Sequence, residues 1–171
     1  MALQAVEKLQ ECGFHIPEKA LRDGIAQVVA STGLHGRWEC FGKEPLLICE
    51  TAHNEDGVRE MLGKLSQIEY HTLHIIYGCV NDKDFGHILE LIGQVGQGHP
   101  TKYYYTQPSV PRGLAVDLLA SKAEELGFQG PSFPQVGQAI AHARTHSTKR
   151  DLILVTGSIF LIADAVAFLR R

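Results

Sequence analysis

The chain has 171 residues, 44% of them apolar and 20% charged, with a formal net charge of −3. These values suit one globular domain of ordinary size, or one domain plus a fragment. They exclude a basic nucleic-acid binder or a cationic membrane-surface protein, and no apolar run is long enough to span a bilayer.

Residues 1–30 read as two helices, with no strand between them. Leu3, Val6 and Leu9 mark one apolar face, Gly13 and Pro17 interrupt it, and Leu21, Ile25, Val28 and Val29 mark a second. Such helices need a partner surface to bury these faces. A linker is expected from Ser31-Thr32-Gly33 to Gly36, so the predicted boundary divides a helical segment, 1–34, from an α/β domain, 35–171.

From Trp38 onward, strands alternate with helices. A short strand at 38–41 turns through Gly42-Lys43-Glu44-Pro45 into an apolar strand at 46–49, and the two can pair antiparallel. Val58, Met61, Leu62, Leu65 and Ile68 then fall at helical spacing. A second dense strand is expected at 73–77, followed by a helix with Phe85, Ile88, Leu89, Ile92 and Val95 on one face. A tyrosine-rich strand at 102–106 leads into a loop with two prolines and Arg112. The next helix carries Leu118, Leu119, Ala123 and Leu126 and stops at Gly127. A further helix at 135–146, a buried strand at 152–155 and an apolar helix at 159–169 complete the chain. Continuous apolar strands separated by helices predict an α/β fold: a Rossmann-like, mostly parallel sheet with helices on both faces.

Polar residues gather where such a sheet binds ligands, beyond the carboxyl ends of its strands. The strand at 46–49 runs into Glu50-Thr51-Ala52-His53-Asn54, above a helix N-terminus whose free N–H groups favour anions. Asn54 suits the N-cap, and Glu55 and Asp56 suit the first turn. The turns Asp82-Lys83-Asp84 and Gly157-Ser158 should share this rim, and Gly36-Arg37 precedes the first strand. An acid, an imidazole, an amide, a lysine and a hydroxyl on one rim can bind a nucleotide or an amino acid. Each also has a plainer role: Asp84 and Ser158 as caps, Arg37 and Lys83 as solvated charges.

Other chemistries find no support in the sequence. It has no GxxxxGK[ST] loop, no GxGxxG after a strand, no HExxH and no GxSxG elbow. His142 and His146 share a helical face without an acid beside them, so no metal site is expected. Cys12, Cys40, Cys49 and Cys79 form no CxxC pair, and the N-terminus has no signal-peptide pattern. Together these features suggest a reduced, cytoplasmic setting, with Cys49 and Cys79 packed as small hydrophobes.

The ordered set Gly36-Arg37, Glu50-Thr51-Ala52-His53-Asn54, Gly78 through Asp82-Lys83-Asp84, Pro108 through Arg112, and Val155-Thr156-Gly157-Ser158 resembles the C-terminal domain of the folylpolyglutamate synthase and dihydrofolate synthase family. That family belongs with the peptidoglycan Mur ligases. The resemblance runs along the whole chain, with residues 1–34 similar to the close of the family's central ATPase domain.

It implies an ATP-dependent ligase that phosphorylates a folate carboxylate and couples the acyl phosphate to the amino group of L-glutamate. By resemblance, Arg37, Glu50, His53 and Asn54 lie on the ATP side, with Arg37 reaching phosphate across the interdomain cleft. Ser158, Asp82, Lys83, Asp84 and Arg112 lie on the glutamate and substrate side. Two positions depart from the family pattern. Glu50 stands where Asp is usual, which carries the carboxylate one methylene farther out, and His35 stands where Pro often precedes Gly-Arg.

The family's phosphate loop, magnesium ligands and modified lysine belong to domains absent from this sequence. ATP and Mg²⁺ would therefore need the missing central domain, and the chain alone is expected to be inactive. No complete catalytic set is expected within it. Two other readings are a stand-alone α/β module binding a nucleotide or metabolite, and an interaction protein that docks through its helical N-terminus.

Overall fold

A computed structural model describes residues 2–81, 85–95 and 98–171. The chain divides into two compact units, Met1–His35 and Gly36–Arg171.

The first unit holds three helices: α1 (Ala2–Glu11), α2 (Glu18–Ala26) and α3 (Val28–Thr32). Gly13, at φ +91, closes α1, and the Phe14 N–H reaches back 3.0 Å to the Leu9 carbonyl. Ser31 and Thr32, expected in a linker, belong to α3. Their hydroxyls donate to the helix's own carbonyls, Ser31 to Gln27 at 2.9 Å and Thr32 to Val28 at 2.5 Å. Gly33, at φ +68, ends the helix. None of the described residues in α1–α3 is buried, and Leu3, Leu9, Ile25, Val28 and Val29 are exposed.

The second unit is a six-stranded sheet. Its strands are β1 (Glu39–Lys43), β2 (Leu46–Glu50), β3 (Leu73–Gly78), β4 (Thr101–Thr106), β5 (Ser132–Phe133) and β6 (Leu152–Gly157), in the order β1-β2-β6-β3-β4-β5. β1 pairs antiparallel with β2, and every other pairing is parallel. The helices are α4 (Glu55–Leu65), α5 (Phe85–Val95), α6 (Val116–Glu125), α7 (Val136–Thr145) and α8 (Ile159–Leu169).

The pleat alternation in the central strands divides the core in two. Ile48, Ile75, Tyr77, Leu152 and Leu154 pack with α4, α5 and α6. Leu47, Cys49, Ile76, Ile153 and Val155 pack with α7 and α8 on the opposite face. Every residue of β3 and β6 is buried, which is why both read as unbroken apolar runs. His74 is the polar exception in β3. It lies 2.9 Å from the Tyr104 hydroxyl and beside Asp151, and burial depresses its pKa.

Two further details differ from the sequence expectation. Leu118 is 63% exposed, while Leu119 and Ala123 are the buried residues of α6, with Val116 and Ala120 packed beside them. β5 had no counterpart in the sequence reading, because its two residues are ordered by pairing with Tyr105 and Thr106 rather than by local pattern.

Candidate functional site

The chain leaves β2 and β3 toward α4 and α5 on one face, and leaves β6, which lies between them, toward α8 on the other. Outgoing loops that diverge in this way open a crevice at the carboxyl ends of the strands. A cavity of about 340 Å³ lies there, lined by His53, Asn54 and Glu55 after β2, Tyr77, Cys79 and Val80 at the end of β3, Phe85 and His87 on α5, and Gly157 and Ser158 where β6 ends.

The cavity walls are set by backbone geometry. Gly157 has φ +128, and a Cβ there would overlap the Gly78 carbonyl oxygen. The Ser158 N–H donates to that same carbonyl at 3.1 Å. The Ser158 hydroxyl caps α8 by accepting from the Leu161 N–H at 3.3 Å, and the residue is only 4% exposed. Asn54 caps α4, its Oδ1 accepting from the Gly57 N–H at 2.8 Å. The plainer roles weighed for Asn54 and Ser158 are therefore real, and both residues also face the cavity.

Glu50 does not line this cavity, although the sequence reading set it on the rim beside His53. It follows Ile48 on the pleat toward the α4 side, where its buried carboxylate accepts a hydrogen bond from the Trp38 backbone N–H. Burial raises its pKa, partly offset by Lys64, that hydrogen bond and Arg37. Trp38 has φ +52, an uncommon conformation for a bulky side chain, and Lys64 Nζ sits 5.2 Å from its ring centroid.

Gly36, at φ +77, packs where a Cβ would overlap Ile162. Its N–H donates to Glu39 at 2.7 Å and its carbonyl accepts from the Thr51 N–H at 3.0 Å. Arg37 is thus exposed on a backbone fixed on both sides, apart from the cavity lining.

Arg112 is also outside the lining. Its guanidinium lies 4.6 Å from the Phe160 ring centroid, and its carbonyl accepts from the Asn81 N–H at 2.9 Å. Asp82, Lys83 and Asp84 lie outside the described residues. The structure therefore brings together His53, Asn54 and Ser158, with Arg37, Glu50 and Arg112 beyond that lining.

Glu55 and His87 were not singled out as site residues. His87 Nε2 lies 3.3 Å from Glu55 Oε2, and Arg59 donates to the other Glu55 oxygen at 2.6 and 3.0 Å. These contacts, the Arg59 bonds foremost, lower the Glu55 pKa. Position was the available signal, since the first turn of a helix that follows a rim strand lies beside the crevice. Among the described residues, no group of three or more His, Cys, Asp or Glu comes together as metal ligands. Cys49 and Cys79 are buried, and burial pushes the Cys49 thiol up to about 12. No helix among the described residues is long and apolar enough to cross a membrane.

Comparison with known proteins gives this architecture a family. The chain is 29% identical over 166 residues to the dihydrofolate synthase/folylpolyglutamate synthase of Escherichia coli, covering 96% of this chain and 36% of that protein. It is 31% identical over 133 residues to a probable bifunctional folylpolyglutamate synthase/dihydropteroate synthase of Haloferax volcanii, covering 76% of this chain and 15% of that protein. The E. coli FolC structure in complex with ADP superposes with a TM-score of 0.81 at 27% identity, over 97% of this chain and 38% of that one. The chain thus spans about a third or less of these relatives. The family described as Mur ligase, glutamate ligase domain, matches residues 36–159, and the chain belongs to that family.

Proposed function

We propose that residues 35–171 form the C-terminal domain of an ATP-dependent ligase that adds L-glutamate to folates through an acyl phosphate. In this reading residues 1–34 close a central ATPase domain carried elsewhere in the polypeptide. The observation that carries the reading is the crevice beyond β6, where His53 and Asn54 from one loop meet Ser158 from another. Support also comes from the relatives, which are named as folate ligases, and from E. coli FolC, described in complex with ADP.

Arg37, Glu50, His53 and Asn54 would serve the ATP side. The rigid backbone under Arg37 suits a residue that must reach phosphate across a cleft. Glu50 would act from beneath, through its hydrogen bond to Trp38. Ser158, Arg112 and the Asp82-Lys83-Asp84 turn would serve the glutamate side. Two helix N-termini open at this rim, which fits an anionic ligand. In this reading Mg²⁺ would be held with ATP by the central domain. When bound, ATP and Mg²⁺ supply the phosphoryl group and neutralise its charge. The cysteines form no disulfide, which suits a cytoplasmic enzyme.

Arg37→Ala in the complete ligase tests the ATP-side assignment. The expected result is a ten- to hundredfold loss in kcat/KM for ATP, the scale of one hydrogen bond to a charged group. An unchanged value would remove Arg37 from the site. A second reading, a stand-alone metabolite-binding module, is favoured by the cavity's being lined wholly from the second unit. That module would bind ATP or glutamate by itself in titration calorimetry, and would lose binding on His53→Ala.

A further inference from the structure

The loop after β4, residues 107–113, carries Arg112 and is anchored at both ends. At its start, the Gln107 side chain accepts from the Val116 N–H at 2.9 Å, tying the loop to α6. At its end, the Leu114 N–H donates to the Cys79 carbonyl at 2.9 Å, and Val80 and Gly113 form an antiparallel bridge. Gly113 packs where a Cβ would lie 2.7 Å from the Pro108 carbonyl oxygen, so the loop folds tightly on itself.

Between these ends, two contacts reach α8. The half-buried Asp164 accepts from the Ser109 N–H at 2.8 Å through one carboxylate oxygen, and from the Ser109 hydroxyl at 2.7 Å through the other. Arg112 stacks on Phe160 at 4.6 Å. Phe160 and Asp164 are four residues apart and share one face of α8, and Ser109 and Arg112 are three apart in the loop. α8 is also the helix that Ser158 caps. One rigid helix therefore presents both the buried serine of the cavity and the two anchors of the arginine loop.

We propose that Asp164 is a positioning residue, which sets the reach of Arg112 through Ser109. The inference rests on the reading of Arg112 as a glutamate-side group. A double acceptor on the backbone and hydroxyl of one residue fixes the loop's translation and its twist. The cation–π contact alone would leave the guanidinium free to slide over the ring. An asparagine at 164 keeps an oxygen for the Ser109 N–H and can donate to the hydroxyl oxygen, so it should preserve the anchor. An alanine removes it.

Two measurements test this. In the isolated chain, trypsin cleavage after Arg112 should be roughly tenfold faster in Asp164→Ala, the scale of losing one or two hydrogen bonds to a carboxylate, and near the parent rate in Asp164→Asn. In the complete ligase, Asp164→Ala should raise the KM for L-glutamate several-fold and leave the KM for ATP unchanged. Asp164→Asn should restore the KM for glutamate, and the double variant D164A/R112A should be no worse than R112A. Parent-rate cleavage in D164A overturns the anchor itself. An unchanged KM for glutamate in D164A, where R112A raises it, overturns the positioning role alone. An unchanged KM in R112A overturns the reading of Arg112, and the positioning role with it.

Discussion

Gly157 stands where β6 turns into α8, at φ +128 and against the Gly78 carbonyl. Any side chain there must distort two central strands at once. Gly157→Ala is expected to lower unfolding stability by about 3 kcal/mol in urea denaturation, since both the conformation and the space exclude a methyl group. A loss below about 1 kcal/mol would contradict this account of the turn.

Glu50 gives a pH-dependent case with an unusual sign. Its carboxyl is held above its ordinary value of 4.5, chiefly by burial, so the charged form is less favourable in the folded state than in the unfolded one. Its contribution to stability is therefore fully present below pH 4.5 and is lost as pH rises through the folded value. Glu50→Gln keeps an acceptor for the Trp38 N–H and removes the charge. It should raise the unfolding midpoint at neutral pH and lose that advantage at about pH 4. An equal effect at both pH values would place the origin elsewhere. The direction in which Glu50 points could not be read from Leu46-Leu47-Ile48-Cys49-Glu50, because both faces of β2 are buried and apolar residues occupy both parities.

At the scale of elements, the sheet was legible wherever burial is continuous. β3 and β6 are apolar on both faces, and Asn54 and Gly127 mark helix ends by side-chain and backbone chemistry that is local. β5 was not legible. It follows Pro131, whose carbonyl accepts from the Tyr105 N–H at 3.0 Å, so a neighbouring strand creates it. The Ser109–Asp164 anchor joins residues 55 apart in sequence and leaves no periodic trace. His87 entered the cavity for a similar reason, since only the packing of α5 beside the β2 loop brings it to Glu55. The helical first unit should behave differently from the sheet. Its described residues bury no side chain, so amides of α1–α3 are expected to exchange with solvent orders of magnitude faster than those of β3 and β6. Comparable protection in both, measured by hydrogen exchange and mass spectrometry, would contradict the view of residues 1–34 as helices lacking their packing surface.

For the molecule as a whole, the sequence carried enough ordered motifs to suggest the family. The crevice beyond β6 brings His53, Asn54 and Ser158 together, because the loops from β2 and β6 meet only after the chain has crossed the sheet and returned, while Arg37 and Arg112 stay beyond its lining. The chemistry proposed for this crevice needs more than the crevice contains, because triphosphate and metal must be positioned by other groups. The most direct measurement is incorporation of labelled L-glutamate into folate. It would compare the 171-residue chain with the complete native polypeptide, captured from source cells by an antibody against this domain. The account predicts ATP-dependent incorporation by the complete polypeptide and none by the chain alone. Incorporation by the isolated chain, or its absence from the complete polypeptide, would contradict it.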